Sequence, residues 1–172
     1  KDSIISGNYI GISPNNVKLA DLPNLTVPAI SFRTSYDNPN SNNRIYKNTI
    51  SGTSEGVTCI TDYSYGCNGI TISENRIFDI SRKGIVLSED NTYTTEILIN
   101  DIEDLDTGPN DLMNHPVLKD IQVVSGNKMY VTLDLDFNPL EAPYTLEFFD
   151  NDELSPMGYA QGKYYIGSLT TS

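Results

Sequence analysis

The sequence predicts an all-β protein: a parallel β-solenoid over residues 1–103, then a small antiparallel module over residues 117–172. Three observations lead there. One pattern, Ile-x-x-Asn-x-Ile, recurs at residues 5–10, 45–50, 72–77 and 97–102, and internal repetition of this kind marks solenoid architectures. A second motif falls between its copies, as Ala29-Ile-Ser-Phe32, Gly56-Val-Thr-Cys59 and Gly84-Ile-Val-Leu87. Near Asp101 the short repeats give way to longer runs that alternate apolar and polar residues. No stretch keeps apolar residues at helical spacing for three turns, and the Ile, Val, Thr and Tyr of the repeats favour strands.

The repeat asparagines Asn8, Asn48, Asn75 and Asn100 lie 40, 27 and 25 residues apart. The last two steps suit one coil, and the first carries an insertion, so about four coils are expected. Equivalent strands on neighbouring coils stack roughly 4.8 Å apart. Ile10, Ile50, Ile77 and Ile102 would then form one inward stack. Ile30, Val57 and Ile85 would form a second, and Phe32, Cys59 and Leu87 a third. Asn tolerates the left-handed backbone that corners need. An inward Asn can also bond its copies above and below, a structural ladder of Asn8, Asn48, Asn75 and Asn100. Such a ladder satisfies amides that would each cost about 1–3 kcal/mol if buried alone. The Pro- and Asn-rich stretches 13–28 and 35–43 read as loops.

The acidic segment 104–116, with Thr107-Gly108-Pro109-Asn110 at its centre, reads as a linker. Beyond it, strands are expected at 117–124, 128–137, 144–149 and 163–170. In 129–137 the odd positions are apolar and the even ones mostly polar, as in a half-buried antiparallel strand. A sandwich-like module follows from these elements.

Charge and composition exclude several function classes. The 172 residues carry 11 Lys+Arg against 23 Asp+Glu, a formal charge of −12. That field repels phosphate, which argues against nucleic acid and anionic membrane surfaces. No apolar run approaches the ~18 residues of a membrane span. The opening residues lack a charged-then-apolar leader, so a targeting peptide is expected to be absent or removed.

Candidate chemistry is sparse. Cys59 and Cys67 lie eight positions apart. Either they close a disulfide, which would suit an oxidising compartment, or a buried Cys59 is unrelated to an exposed Cys67. Two Cys and one His are too few for an ordinary four-ligand zinc site. Asp104, Asp106, Asn110 and Asp111 surround a Gly-Pro turn with hard oxygen ligands suited to calcium. Their spacing departs from the EF-hand loop, so a solvated acidic linker is the alternative and no cofactor the default. His115, without a serine elbow or activated cysteine nearby in sequence, reads as structural. Tyr36, Tyr63, Tyr65, Tyr93, Tyr159, Tyr164 and Tyr165 fall in or near loops, where tyrosine can stack on sugars or anchor an interface; simple packing is the competing reading. The outward residues after each ladder Asn place Arg76 beside Asp101 as an ion pair. The Asn-Thr-Asp, Asp-Asp and Gly-His-Gly elements of polygalacturonase-like enzymes are absent, so no catalytic residues are expected here.

Ser6-Gly7-Asn8-Tyr9-Ile10-Gly11 resembles the repeat of bacterial secreted right-handed parallel β-helix surface proteins. Asp104-Leu-Asp-Thr-Gly-Pro-Asn-Asp-Leu-Met-Asn-His-Pro-Val-Leu118 resembles the junction that often follows such helices. Glu147-Phe148-Phe149 and Gly158-Tyr159-Ala160-Gln161-Gly162 resemble the immunoglobulin-like module that comes next. The resemblance covers most of the chain. It implies a right-handed β-helix, a piece of a longer extracellular or cell-surface protein, and no catalytic residues. The resulting expectation is a non-catalytic structural or adhesive module, with carbohydrate or a surface protein as partner. Two alternatives are a fragment of a polysaccharide-active enzyme with its catalytic coils upstream, and a calcium-stabilised binding module.

Overall fold

The computed structural model describes residues 2–18, 27–34, 41–61, 67–89, 98–126, 128–138 and 143–171. Among these, strands dominate and α-helix is absent. Nine short strands come first: β1 (Ile4–Ser6), β2 (Tyr9–Ile10), β3 (Pro28–Thr34), β4 (Arg44–Tyr46), β5 (Thr49–Ser51), β6 (Glu55–Thr61), β7 (Thr71–Ser73), β8 (Arg76–Phe78) and β9 (Ile85–Ser88). They build three parallel three-stranded sheets, ordered β1-β4-β7, β2-β5-β8 and β3-β6-β9. The chain therefore makes three passes, each leaving one strand in each sheet.

Register follows the repeats. Ile5, Ile45 and Ile72 stand in line across the first sheet, and Ile10, Ile50 and Ile77 across the second. The third aligns Ile30, Val57 and Ile85, and likewise Phe32, Cys59 and Leu87. Ile45, Ile50, Val57, Cys59 and Ile80 are fully buried in one continuous core. A parallel sheet covered on both faces calls for strands apolar or neutral throughout. All seven residues of the central β6 are buried, and six of them fit, with Glu55 the one charged exception. Gly56 stands second in that strand because a Cβ there would run into the Gly84 carbonyl oxygen of the next pass; no side chain fits the gap.

The corners differ from expectation in one respect. Left-handed backbone falls on the residue before each asparagine: Gly7 (φ 67°), Lys47 (φ 55°) and Glu74 (φ 51°). That twist turns the asparagine side chain inward. Asn8 Nδ2 donates to Asn48 Oδ1, and Asn48 Nδ2 to Asn75 Oδ1, each at 3.0 Å. The backbone N–H groups of Asn8 and Asn48 donate to the same two oxygens. Asn48 Nδ2 also reaches the Ile5 carbonyl at 2.9 Å, and Asn75 Nδ2 the Ile45 carbonyl at 2.8 Å. Buried polar atoms thus meet partners inside an otherwise aliphatic core, as burial demands.

One more polar pair lies inside. The Glu55 side chain is 2% exposed, and its Oε1 sits 3.1 Å from Arg82 Nη1. Ser54 Oγ donates to the other carboxylate oxygen.

The fourth coil is a correction. Ile97 lies outside the described residues. Ile102 is 76% exposed, in a 3-10 turn (Ile102–Asp104). Asn100 pairs with the backbone of His115 instead of Asn75: its Oδ1 accepts from His115 N at 3.0 Å and its Nδ2 donates to His115 O at 2.7 Å. Asn100 is therefore no rung of the ladder. Nor does Arg76 meet Asp101; its Nε donates to the Lys163 carbonyl, and its guanidinium lies over Phe78 and Tyr164. Both departures have one cause. Among the described residues no fourth strand joins any of the three sheets, and a later segment takes the edge.

That segment belongs to four longer strands, β10 (Val117–Val124), β11 (Lys128–Asp134), β12 (Thr145–Asp150) and β13 (Tyr164–Thr170). They pair as two antiparallel hairpins, β10-β11 and β12-β13, each a separate two-stranded sheet. The β10-β11 ribbon leaves Val117, Leu118, Ile121, Val123, Met129 and Tyr130 exposed. A two-stranded ribbon has no second layer of its own to cover its apolar face.

The β12-β13 hairpin docks on the third pass. Gly162 pairs antiparallel with Ile77, through two N–H···O bonds of 2.8 Å. Gln161 accepts from Ile80 N (3.1 Å) and donates to Ile80 O (2.7 Å). Glu147 accepts the Glu74 N–H at 2.9 and 3.1 Å. Burial pushes the Glu147 carboxyl above the usual glutamate range, against the pull of that N–H. At the neighbouring corner Asn110 does the same for Ile70, accepting from its N–H at 2.9 Å and donating to its carbonyl at 2.7 Å. Hydrogen-bonding groups that an outermost pass would present to solvent are met by side chains and by one added strand position.

Candidate metal centre

The junction between the passes and the hairpins gathers several carboxylates. Asp101 precedes the 3-10 turn, and Glu103 (φ 59°) and Asp104 (φ 54°) take left-handed backbone. Two such residues in succession curl the chain tightly enough to bring carboxylates three and five positions apart onto one side. One oxygen each from Asp101, Asp104 and Asp106 lies within 4.8 Å of the others.

Neighbouring amides hold the arrangement. Asp101 Oδ2 accepts from Leu105 N at 2.9 Å, and Asp104 Oδ1 from Asn114 N at 2.7 Å. The buried Asn114 ties the turn to the linker: its Oδ1 accepts from Asp101 N (3.1 Å), and its Nδ2 donates to the carbonyls of Asp101 (2.8 Å) and Asp136 (2.6 Å). The remaining oxygens are a different matter. Oδ1 of Asp101 and Oδ1 of Asp106 are buried without a hydrogen-bond partner. Among the described residues, no Lys, Arg or His forms an ion pair with the three carboxylates.

Burial pushes the Asp104 carboxyl above the ordinary aspartate range; Asp101, Asp111 and Asp136 add to the effect, and the Asn114 N–H opposes it. Asp106 is raised too, by burial first and then by Asp101, Asp104, Glu89 and Asp111. Gathered carboxylates with unmet buried oxygens suit a hard divalent cation, and calcium takes such oxygens readily.

The group of converging carboxylates differs from the expected ligand set. Asp104 and Asp106 belong to the cluster, and Asp101, absent from the expectation, joins them. Asn110 is committed to Ile70, and Asp111 Oδ1 accepts from Asn68 Nδ2 at 3.2 Å. Asp101 was legible only as an acidic neighbour, because the left-handed pair that folds it back leaves no pattern in spacing.

A pH dependence follows. Asp104 and Asp106 have raised pKa values in the fold, so the folded state binds protons that the unfolded chain has already released. In chelator, stability should rise as pH falls from neutrality through the range where the two groups protonate in the fold. At neutral pH calcium should instead raise the melting temperature, by about 2.7 kcal/mol of stability at a hundredfold excess over Kd. That gain should shrink on acidification as protons compete. Differential scanning fluorimetry over pH, with and without calcium, checks both signs. The double variant D101N/D106N should lose the calcium response.

The other expected sites fall elsewhere. Tyr36, Tyr63, Tyr65 and Tyr93 lie outside the described residues. Tyr159 faces the Lys83 ammonium at 5.8 Å, and Tyr165 packs edge-on against Phe149 at 5.5 Å. A cavity of about 560 Å³ opens between the third pass and the docked hairpin, walled by Ile77, Leu87, Leu98, Met113 and Phe149. His115 and Glu147 reach its rim, but Glu147 is occupied by the Glu74 amide. Cys59 and Cys67 are both buried thiols in the same core cluster. The reading of Cys67 as an exposed, unrelated cysteine is therefore corrected.

Comparison with protein-family models, with curated proteins and with solved structures gives no match to this chain. Among the described residues no helix is long and apolar enough to cross a membrane.

Proposed function

We propose that this chain is the capped end of a right-handed parallel β-helix in a secreted or cell-surface protein, with a structural and adhesive role and no turnover. The observation that carries this reading is the closure of the outermost edge, where Gly162, Gln161 and Glu147 satisfy Ile77, Ile80 and Glu74. An open strand edge recruits other chains, and a rod built by stacking needs a terminus that stops growth. The resemblance of residues 6–11 and 104–118 to bacterial surface β-helix proteins supports the compartment. The β10-β11 and β12-β13 hairpins are then the first strands of an immunoglobulin-like module. Exposed carbohydrate or a surface protein is the partner class.

Two measurements test this. In E147A/Q161A each lost clamp should cost about 1–2 kcal/mol, and the protein should associate through the freed edge, seen by light scattering. Unchanged melting and a monodisperse particle would remove the capping role. Incubation of the protein with a polysaccharide panel should give retention without new reducing ends or unsaturated products; product formation would replace the adhesive reading with the enzymatic one.

A second reading rests on the unmet oxygens of Asp101 and Asp106. In it the junction is a calcium-stabilised hinge between rod and module, and its test is the calcium and pH series above. The two readings are compatible, since calcium would stiffen the joint that the cap creates.

A further inference from the structure

Between passes, residues stand in line with their equivalents: Ile50 with Ile77, Cys59 with Leu87. Among the described residues no fourth strand continues these lines beyond the third pass. The docked hairpin takes the edge at Gly162 without filling the space beside it. What remains is the cavity of about 560 Å³, lined by Ile72, Ile77, Ile85 and Leu87 of the third pass and by Leu98 and Met113 after it. Ile85, Leu98 and Met113 are left 47%, 40% and 48% exposed. The wall is thus an uncovered cross-section of the aliphatic core. Its frame is pinned: Gly162 to Ile77 and Gln161 to Ile80 on the hairpin side, and His115 to Asn100 on the linker side. Small-molecule sites are concave, mostly apolar and largely pre-formed, with volumes of about 300–1,000 Å³.

The polar groups on this wall decide what enters. Gln161 is committed to Ile80, and Asn114 to the carbonyls of Asp101 and Asp136. Both oxygens of Glu147 take the Glu74 N–H, and the Lys83 ammonium lies 5.8 Å from the centre of the Tyr159 ring. One carboxylate and one ammonium, each already engaged, offer no counter-charge to an ionic head. The His115 imidazole differs. Among the described residues only the backbone of His115 is hydrogen-bonded, to Asn100, and its ring is left to meet a hydroxyl. We propose that this cavity binds one uncharged molecule with an aliphatic body and a single hydroxyl, the class of a medium-chain alcohol, with the hydroxyl at His115. Each methylene moved from water onto the aliphatic wall favours binding. A charged head would be desolvated there without a partner. The site does not depend on the adhesive role.

Nile red, an uncharged dye bright only in apolar surroundings, is titrated into the full chain and then displaced with 1-octanol, octanoate or octylamine. One dye should bind per chain, and 1-octanol should displace it about tenfold more readily than either ion, whose heads lose water without a partner. Gly84 lines the cavity, and a Cβ there meets only Ile77 Cγ2, at 3.4 Å. G84L therefore fills the space and should weaken 1-octanol about tenfold by overpacking it. Where G84L fails to fold, A160F, from an exposed position on the cavity wall, gives the same reading. H115A should weaken 1-octanol about fivefold through the lost hydrogen bond, with the melting temperature of the free protein unchanged. Val123 and Met129, paired on the exposed β10-β11 ribbon, supply the control: V123D/M129D should bind dye and alcohol as before. The proposal falls if no saturable binding occurs, or if the three displacers are equal. It falls too if binding is lost in V123D/M129D and kept in the filled variants, which would put the dye on the ribbon. A dimer that G84L or A160F splits would give the space to a second copy and overturn it as well.

Discussion

Replacing Asn48 with leucine should destabilise the fold by about 3–5 kcal/mol. Leucine matches the shape of asparagine, so the cost is polar. Asn48 is 1% exposed. Its carboxamide nitrogen supplies the Ile5 and Tyr46 carbonyls and Asn75 Oδ1. Its oxygen receives the Asn8 N–H and Asn8 Nδ2. Leucine leaves Ile5 O and Asn8 N without those partners, and each orphaned group costs about 1–3 kcal/mol. Asn8, at the exposed end of the ladder, should lose far less as alanine, because water replaces what it gives up. N100A should leave the ladder untouched and loosen only the strap to His115. Urea midpoints at unchanged m-value measure all three. Equal losses at positions 8, 48 and 100 would show that burial is not what makes the middle rung matter.

Arg82→Met should cost a similar amount, about 3–5 kcal/mol, because it strands a charge. Glu55 is nearly inaccessible and Arg82 is 27% exposed, so the cation reaches in from the surface to a fixed carboxylate. Methionine keeps the stem and removes the charge, and the Arg82 N–H stays on the Ser54 carbonyl at 2.9 Å. The single variant therefore isolates the ion pair from the local backbone. The companion R82M/E55Q removes the stranded anion and should recover much of the loss, a positive coupling that a double-mutant cycle reads directly. Surface pairs give a contrast: Lys119 with Asp134, at 2.7 Å but exposed on both sides, should contribute below ~1 kcal/mol and fade in salt. A cycle with no coupling between positions 55 and 82 would place the cost of R82M in packing instead.

Much of the parallel-stranded part was readable in advance because its signal is local and repeated. Ile-x-x-Asn-x-Ile places two inward isoleucines either side of an inward amide, and that spacing survives any exchange of outward residues. Gly56 likewise marks a place where passes approach too closely for a side chain. The end of the stacked passes was harder to see. Residues 97–102 carry the same motif, yet Asn100 and Ile102 leave the stack. Nothing in six residues states whether another pass will lie above them. The cap was equally hidden: Gln161, Gly162 and Glu147 lie more than 70 positions from the groups they serve. Glycine and two polar side chains have no periodicity to betray a partner.

The acidic junction shows both sides at once. A negative, turn-rich segment was visible from composition, and with it the idea of calcium. Which carboxylates converge was not, because two left-handed residues choose Asp101 over Asn110 and Asp111. For this chain, then, sequence alone settled the strand-rich character and the register between the three passes, though Ile85 and Ile102, expected inward, are 47% and 76% exposed; stacking equal residues is a nearest-neighbour matter. Only the tertiary structure decided where the stacking stops, what closes its edge, and which carboxylate oxygens meet. Those outcomes depend on contacts between distant segments, whose free energy no local pattern encodes.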